Sequence, residues 1–221
     1  MRATSRLSPA RVRPAAGLVG VLLLAMACGG GRPVPQQVLV PPRRDLKQYG
    51  RVGLVVFTIE KAKGDLDQFA TRRFSEDLLA AQPGVEVLEL GSADSVRQRV
   101  GERDMGAMTA QAVGAARRAP VVFIGHLKIS NVTPSGGLRS LSLPHLEATV
   151  SAELTVALYG TETGGTLWRS SGVASRKIGG LAIVGGEPYF SAKDPNKAYL
   201  GMVNDLVDYV TRDLRPTWVT Q

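Results

Sequence analysis

Cys28 is the only cysteine among 221 residues, and it closes the stretch Leu22-Leu23-Leu24-Ala25-Met26-Ala27-Cys28-Gly29-Gly30-Gly31. A lone thiol forms no intramolecular disulfide, and no CxxC or Cys/His spacing makes it a metal ligand. Its use must lie in its own reactivity or in its position. The two histidines offer little more chemistry. His126 sits in an apolar, strand-like run and His145 lies between Pro144 and Leu146; both read as packed or surface residues. No serine occupies a G-x-S-x-G elbow. The glycine-rich residues 179–186 lack the G-K-[ST] ending that holds phosphates. Glu60, Asp65, Asp67, Glu76 and Asp77 read as a solvated helix start, with no motif that would make two of them an acid–base pair. Trp168 reads as core. The expectation is a protein that is not an enzyme, with no catalytic residues, no cofactor and no metal.

Cys28 is positioned by what precedes it. Arg2, Arg6, Arg11 and Arg13 form a basic segment without an acidic residue, and residues 15–27 are an unbroken apolar run of 13. A helix needs about 20 residues to span a bilayer, so the run is too short for an ordinary transmembrane segment. A basic region, a short apolar run and small residues before a cut are the parts of a secretory signal peptide. Ala25-Met26-Ala27-Cys28 resembles a bacterial lipobox, in which the cysteine is acylated after cleavage just before it. An ordinary Ala-x-Ala site would cut at the same bond. The expected organisation is a signal peptide over 1–27, a lipidated Cys28 with a flexible tether over 28–49, and one domain over 50–221. Gly29 after the cysteine, in place of aspartate, favours the outer membrane by resemblance to the usual sorting rule.

Removing the four leader arginines from the 27 basic residues leaves 23 against 19 acidic ones. That mild excess does not call for nucleic acid. Residues 29–48 read GGGRPVPQQVLVPPRRDLKQ, glycine- and proline-rich at the start and without periodicity, which suits an extended linker. The remaining ~170 residues suit one domain with its own core.

Residues 52–57 read as a buried strand. Leu66, Ala70, Phe74, Leu78 and Ala81 recur at helical spacing until Pro83-Gly84 stops them. Residues 85–90 alternate as a half-exposed strand. Ser92 or Asp94 caps a short helix through Val100, and 108–118 is a third helix. Another strand runs from Val121 through Ile129. Val150, Ala152, Leu154, Val156 and Leu158 then define the face of a clear period-two strand. The turn at 160–165 returns it into residues 166–170, and Asp194-Pro195 starts a last helix striped by Tyr199, Met202, Leu206, Val210 and Leu214. The order β-α-β-α-α-β-β-β-α makes an α/β (α+β mixed sheet) fold: a single domain with helices packed on a mixed β-sheet, parallel at its start and antiparallel later.

The strand at 52–57, the strand ending in Gly125 after an Ala-rich helix, and a strand followed by Thr163-Gly164-Gly165-Thr166-Leu167-Trp168 resemble a module of bacterial envelope proteins. It is shared by curli-secretion (CsgG-like) lipoproteins, penicillin-binding-protein activator (LpoB-like) lipoproteins and the N-terminal domain of TolB. The resemblance implies an anticodon-binding-domain-like fold, an anchor at Cys28, and work by protein contact. Three segments are candidates for that contact. Residues 131–146 and 176–193 read as long loops, the second containing Ile178, Leu181, Ile183 and Val184; the third is the C-terminal segment 215–219, with Trp218 beyond the last helix. The expected function is a lipid-anchored outer-membrane lipoprotein facing the periplasm, an accessory or assembly factor that binds an envelope protein and no nucleic acid. A homo-oligomer is left open. The alternative is a CsgG-like subunit of an oligomeric export channel, against which the loop lengths weigh, since each membrane strand takes about 9–11 residues.

Overall fold

Strand β2 (Arg51–Val55) is apolar on both faces, and it lies inside the sheet between parallel neighbours β4 (Glu86–Gly91) and β5 (Val121–Ile129). A computed structural model describes residues 37–60, 65–130, 133–137, 145–184, 187–192 and 195–220, with side chains at 37–60, 65–130, 149–177 and 199–220. Residues 39–219 form one compact unit; 1–38 with 220–221 form another, of which Gln37, Val38 and Thr220 are described.

The main sheet runs β4-β2-β5-β7-β8-β9, where β7 is His145–Gly160, β8 is Thr166–Val184 and β9 is Glu187–Ala192. Short β3 (Thr58–Glu60) adds to β5 and β6 (Thr133–Gly137) adds to β7. The crossover from β2 to β4 is α1 (Leu66–Ala81), and the return to β5 passes through α2 (Ala93–Val100) and α3 (Ala107–Arg117). This is the expected mixed sheet with helices packed on it. A parallel pair needs such crossovers, whereas β5, β7, β8 and β9 pair antiparallel.

Both faces of the sheet are used. Val52, Leu54, Phe123, Leu127, Val156 and Leu158 pack under α1 and under α4 (Pro195–Val210). Val55, Val122, Ile124 and Ala157 pack against Val96 of α2 and Ala110 and Val113 of α3. An aromatic row crosses the first layer, Phe57 to Phe74 at 5.3 Å, Phe74 to Phe123 at 5.2 Å and Phe123 to Trp168 at 6.0 Å between ring centres. Gly125 leaves room for that row, because a Cβ there would collide with the Phe57 ring. Local signals set the helix ends: the Ser92 hydroxyl accepts from the Ser95 N–H at 3.2 Å, and Gly101 closes α2 at φ +75°.

Two expectations are corrected. The stretch 131–146 does not remain a loop, since β6 and the start of β7 lie within it. The stretch 176–193 is likewise not a loop: β8 continues to Val184, and residues 179–184 pair with β9. Strand β8 outruns its expected end at Ser170 because one of its faces is polar and open, so no apolar alternation marks residues 171–177. Within residues 28–49, expected as a tether, the last few residues carry structure. Leu46 is fully buried in the first core layer, and Lys47–Tyr49 form a 3-10 turn. The compact unit that holds the main sheet begins at Leu39.

Candidate functional site

The apolar triplet Val38-Leu39-Val40, hidden in an otherwise linker-like stretch, forms β1 (Gln37–Val40); β10 is Thr217–Thr220, and the two make a separate two-stranded sheet. Every residue of both strands is exposed. Trp218 is 63% exposed, Leu39 48%, Val219 44% and Val40 43%, a cluster of exposed apolar side chains where most large apolar side chains among the described residues are buried. A two-stranded ribbon is marginal by itself in water, so something must hold its strands.

Gln82 supplies the first hold. It follows α1, is 1% exposed, and its side-chain amide spans both segments that lead into the ribbon. Its Nε2 donates to the Arg44 carbonyl at 3.0 Å and to the Leu214 carbonyl at 2.7 Å, while its Oε1 accepts from the Leu46 N–H at 3.3 Å. One buried amide thus satisfies three backbone groups that water cannot easily reach. The second hold is Arg215, whose Nη2 donates to Asp77 at 2.5 Å, Asp208 at 3.0 Å and the Thr211 hydroxyl at 2.7 Å. Arg73 reaches the other Asp77 oxygen at 3.1 Å. Burial raises the Asp77 pKa above its ordinary value, against the lowering pull of Arg215 and Arg73; the neighbouring Asp208 carboxylate adds to the rise. A third, weaker link joins Arg43 to Asp213 at 3.6 Å.

A cleft of about 510 Å³ opens beside the ribbon, lined by Val40, Arg43, Tyr209, Arg212, Arg215 and Val219 among others. Tyr209 is 51% exposed, with the Arg212 guanidinium over its ring at 4.1 Å. Exposed tyrosine, tryptophan and arginine beside aliphatic side chains are the types enriched at protein contact sites.

A second cleft, about 500 Å³, lies on the open part of the other sheet face and contains Thr58, Glu60, Arg103, His126 and Arg169. His126 Nδ1 lies 2.7 Å from the Thr58 hydroxyl, and Nε2 lies 3.7 Å from Glu60. A hydroxyl–imidazole–carboxylate row can in principle orient a base. Here the histidine and glutamate side chains are 48% and 43% exposed, and water weakens such a pair. His126 is a surface histidine.

Of the sequence-derived site residues, Trp218 lies on β10, while Cys28 lies outside the described residues. Ile178, Leu181, Ile183 and Val184 fall on the backbone of β8, and their side chains lie outside the described residues, as does that of His145. Gln82 and Tyr209 carry no sequence signal, whereas Arg215 opens the C-terminal candidate segment 215–219. The one signal that pointed to the ribbon was the β-rich triplet 38–40 inside the tether. Among the described residues no helix is long and apolar enough to cross a membrane, and no group of three His, Cys, Asp or Glu could hold a metal ion.

No protein-family model matches the chain, and no curated protein matches it. Solved structures similar in fold include the PelC dodecamer from Paraburkholderia phytofirmans, 15% identical over 82% of this chain and 98% of that one, with a TM-score of 0.41. The lipoprotein GNA1162 from Neisseria meningitidis is 14% identical over 57% of this chain and 83% of that one, TM-score 0.34. The LpoB C-terminal domain from Escherichia coli is 17% identical over 57% and 84%, TM-score 0.33. Likenesses this distant assign no function to this chain.

Proposed function

We propose that the chain is a bacterial outer-membrane lipoprotein, acylated at Cys28, whose α/β domain faces the periplasm and acts by binding an envelope protein without catalysis. The observation that carries this reading is the exposed apolar ribbon of Leu39, Val40, Trp218 and Val219 beside the Tyr209–Arg212 cleft. Soluble surfaces rarely leave such a patch uncovered without a contact to make. The signal-like leader and unique cysteine support the anchor, and two or more acyl chains give stable attachment where one gives reversible binding. Ile178, Leu181, Ile183 and Val184, on the β8–β9 hairpin, form a second candidate contact element.

Two measurements test the proposal. The intact mass of membrane-extracted protein should exceed residues 28–221 by two or three acyl chains plus glycerol; a bare Cys28 mass would end the anchor claim. In crosslinking pull-downs from intact envelopes, Trp218→Ala should lower partner capture about tenfold, the loss typical of a contact hot spot. Undiminished capture by a folded Trp218→Ala variant would remove the ribbon from the interface.

One observation favours the export-channel reading: the β6–β7 and β8–β9 pairings continue the sheet as strands where loops were expected. The described residues of β6 and β9 number five and six, against the roughly 9–11 that a membrane strand takes. The contact reading is preferred because the exposed ribbon supports it directly.

A further inference from the structure

Two open stretches of the main sheet's edges, β4 on one side and the first part of β8 on the other, carry opposite charge. Strand β4 pairs only with β2, so its outer edge, Glu86–Gly91, is open among the described residues. That edge bears Glu86 and Glu89, both exposed, and no base. At the far side, β8 pairs with β7 along its length, but β9 joins it only from Gly179. Residues 166–177 of β8 thus present a second open edge among the described residues, with Arg169, Arg176 and Lys177 exposed and no acid. Glu86 already meets Arg51 at 2.9 Å and Arg176 meets Asp205 at 2.6 Å, both at exposed positions. Glu89 and Arg169 make no ion pair among the described residues.

We propose that a second copy of this chain docks its β4 edge onto the β8 edge of the first, continuing the sheet head to tail. Unpaired strand edges are templates for another strand, and main-chain pairing of this kind is a recurrent recognition mode. Length permits it: at about 3.3 Å per residue the β8 edge runs roughly 40 Å, twice what six residues of β4 require. Charge selects the arrangement. Two β8 edges would set arginine and lysine against their own kind, and two β4 edges would set glutamate against glutamate; like charges across strands repel. Only the unlike edges attract. The contact uses different patches on the two copies, so it is heterologous and propagates into a ring or a chain of copies rather than closing at a dimer. The β8 edge adjoins the ribbon cleft, which Ser170 helps to line, so variants that test the edge leave Trp218 and Tyr209 unchanged.

Native mass spectrometry of the detergent-solubilised full chain counts the copies. Assemblies beyond two copies are expected, and they should weaken as salt is raised. Glu86→Lys/Glu89→Lys leaves both edges basic, and Arg169→Glu/Lys177→Glu turns the β8 edge acidic like the β4 edge; each variant alone should be monomeric. Mixing the two should restore assembly, because each then offers an edge opposite to the other's. Cooperative thermal unfolding checks that both remain folded, and if either does not, the single changes Glu89→Lys and Arg169→Glu give the same readout. A wild-type monomer at all concentrations, a species that stops at two copies, or assembly unaffected by either edge variant would overturn the proposal.

Discussion

Asp77 illustrates how much a single buried carboxyl decides. Its side chain, 9% exposed, is gripped by Arg215 from the C-terminal segment and by Arg73 from its own helix. Burial outweighs these two cations and raises its pKa, with Asp208 contributing in the same sense. A folded-state pKa above the ordinary value means that the native protein holds this proton more tightly than the unfolded chain. The stability so contributed is full at low pH and is lost as pH rises through the folded pKa. Wild type should therefore gain stability relative to Asp77→Asn as pH falls from neutral toward 4, read as the difference between their urea midpoints. A difference that stays flat or runs the other way would contradict the assignment. Sequence alone placed Asp77 in a solvated helix start, because its neighbours in the chain are polar. The residues that bury it lie 131 and 138 positions away, so no local pattern reveals them.

At the scale of elements, the ribbon depends on the C-terminal end of α1. The sequence fixes where that helix ends, because Pro83-Gly84 cannot continue it and Gln82 is left as its last capping position. What it does not show is that the Gln82 amide then reaches both the segment before β2 and the segment before β10. Gln82→Met keeps the side-chain volume and removes all three bonds. An unsatisfied buried backbone group costs about 1–3 kcal/mol, so a loss of about 2–5 kcal/mol in unfolding free energy is expected once partial rehydration of the three groups is allowed for. Amide exchange in β10 should speed up more than exchange in β5, which the amide does not touch. Equal protection of β10 in both proteins would show that Arg215 alone holds the ribbon. The β7–β8 hairpin was half legible for a related reason. Its inner face alternates apolar residues through Leu158, whereas Arg176 of β8 is held on α4 by Asp205 and by the space that Gly201 leaves for its guanidinium. A polar strand pinned by a salt bridge carries no hydrophobic period.

At the scale of the domain, the compact unit is 39–219, and Leu46 argues against cutting it at residue 50. This side chain is fully buried beside Phe74, Leu78 and Leu214 within one core layer. A chain beginning at residue 37 should unfold in one cooperative transition, as single α/β cores normally do. A chain beginning at residue 50 loses Leu46 and two of the three Gln82 bonds, and should melt markedly lower or without a sharp transition. Removing a buried leucine side chain alone costs about 2–5 kcal/mol. Equal melting curves for the two chains would show that 37–49 ride on the domain without stabilising it.

The sequence by itself determined the leader and its unique cysteine as an expected anchor, the span of α1, the cap of α2, the continuous apolar strands at the sheet centre and the period-two face of β7. Each of these is written in neighbouring residues, because helix and strand periodicity reports which face is buried and caps act within one turn. Tertiary structure decided that 39–49 belong to the domain, that the stretches expected as loops continue as strands, and that Gln82 and Arg215 clamp the ribbon carrying Trp218. It also decided which strands end at the sheet's edges and which charges they show there. These outcomes rest on pairings between residues far apart in the chain, through backbone and polar groups whose partners are set by topology, and a local pattern of apolar and polar residues does not encode which distant group will arrive.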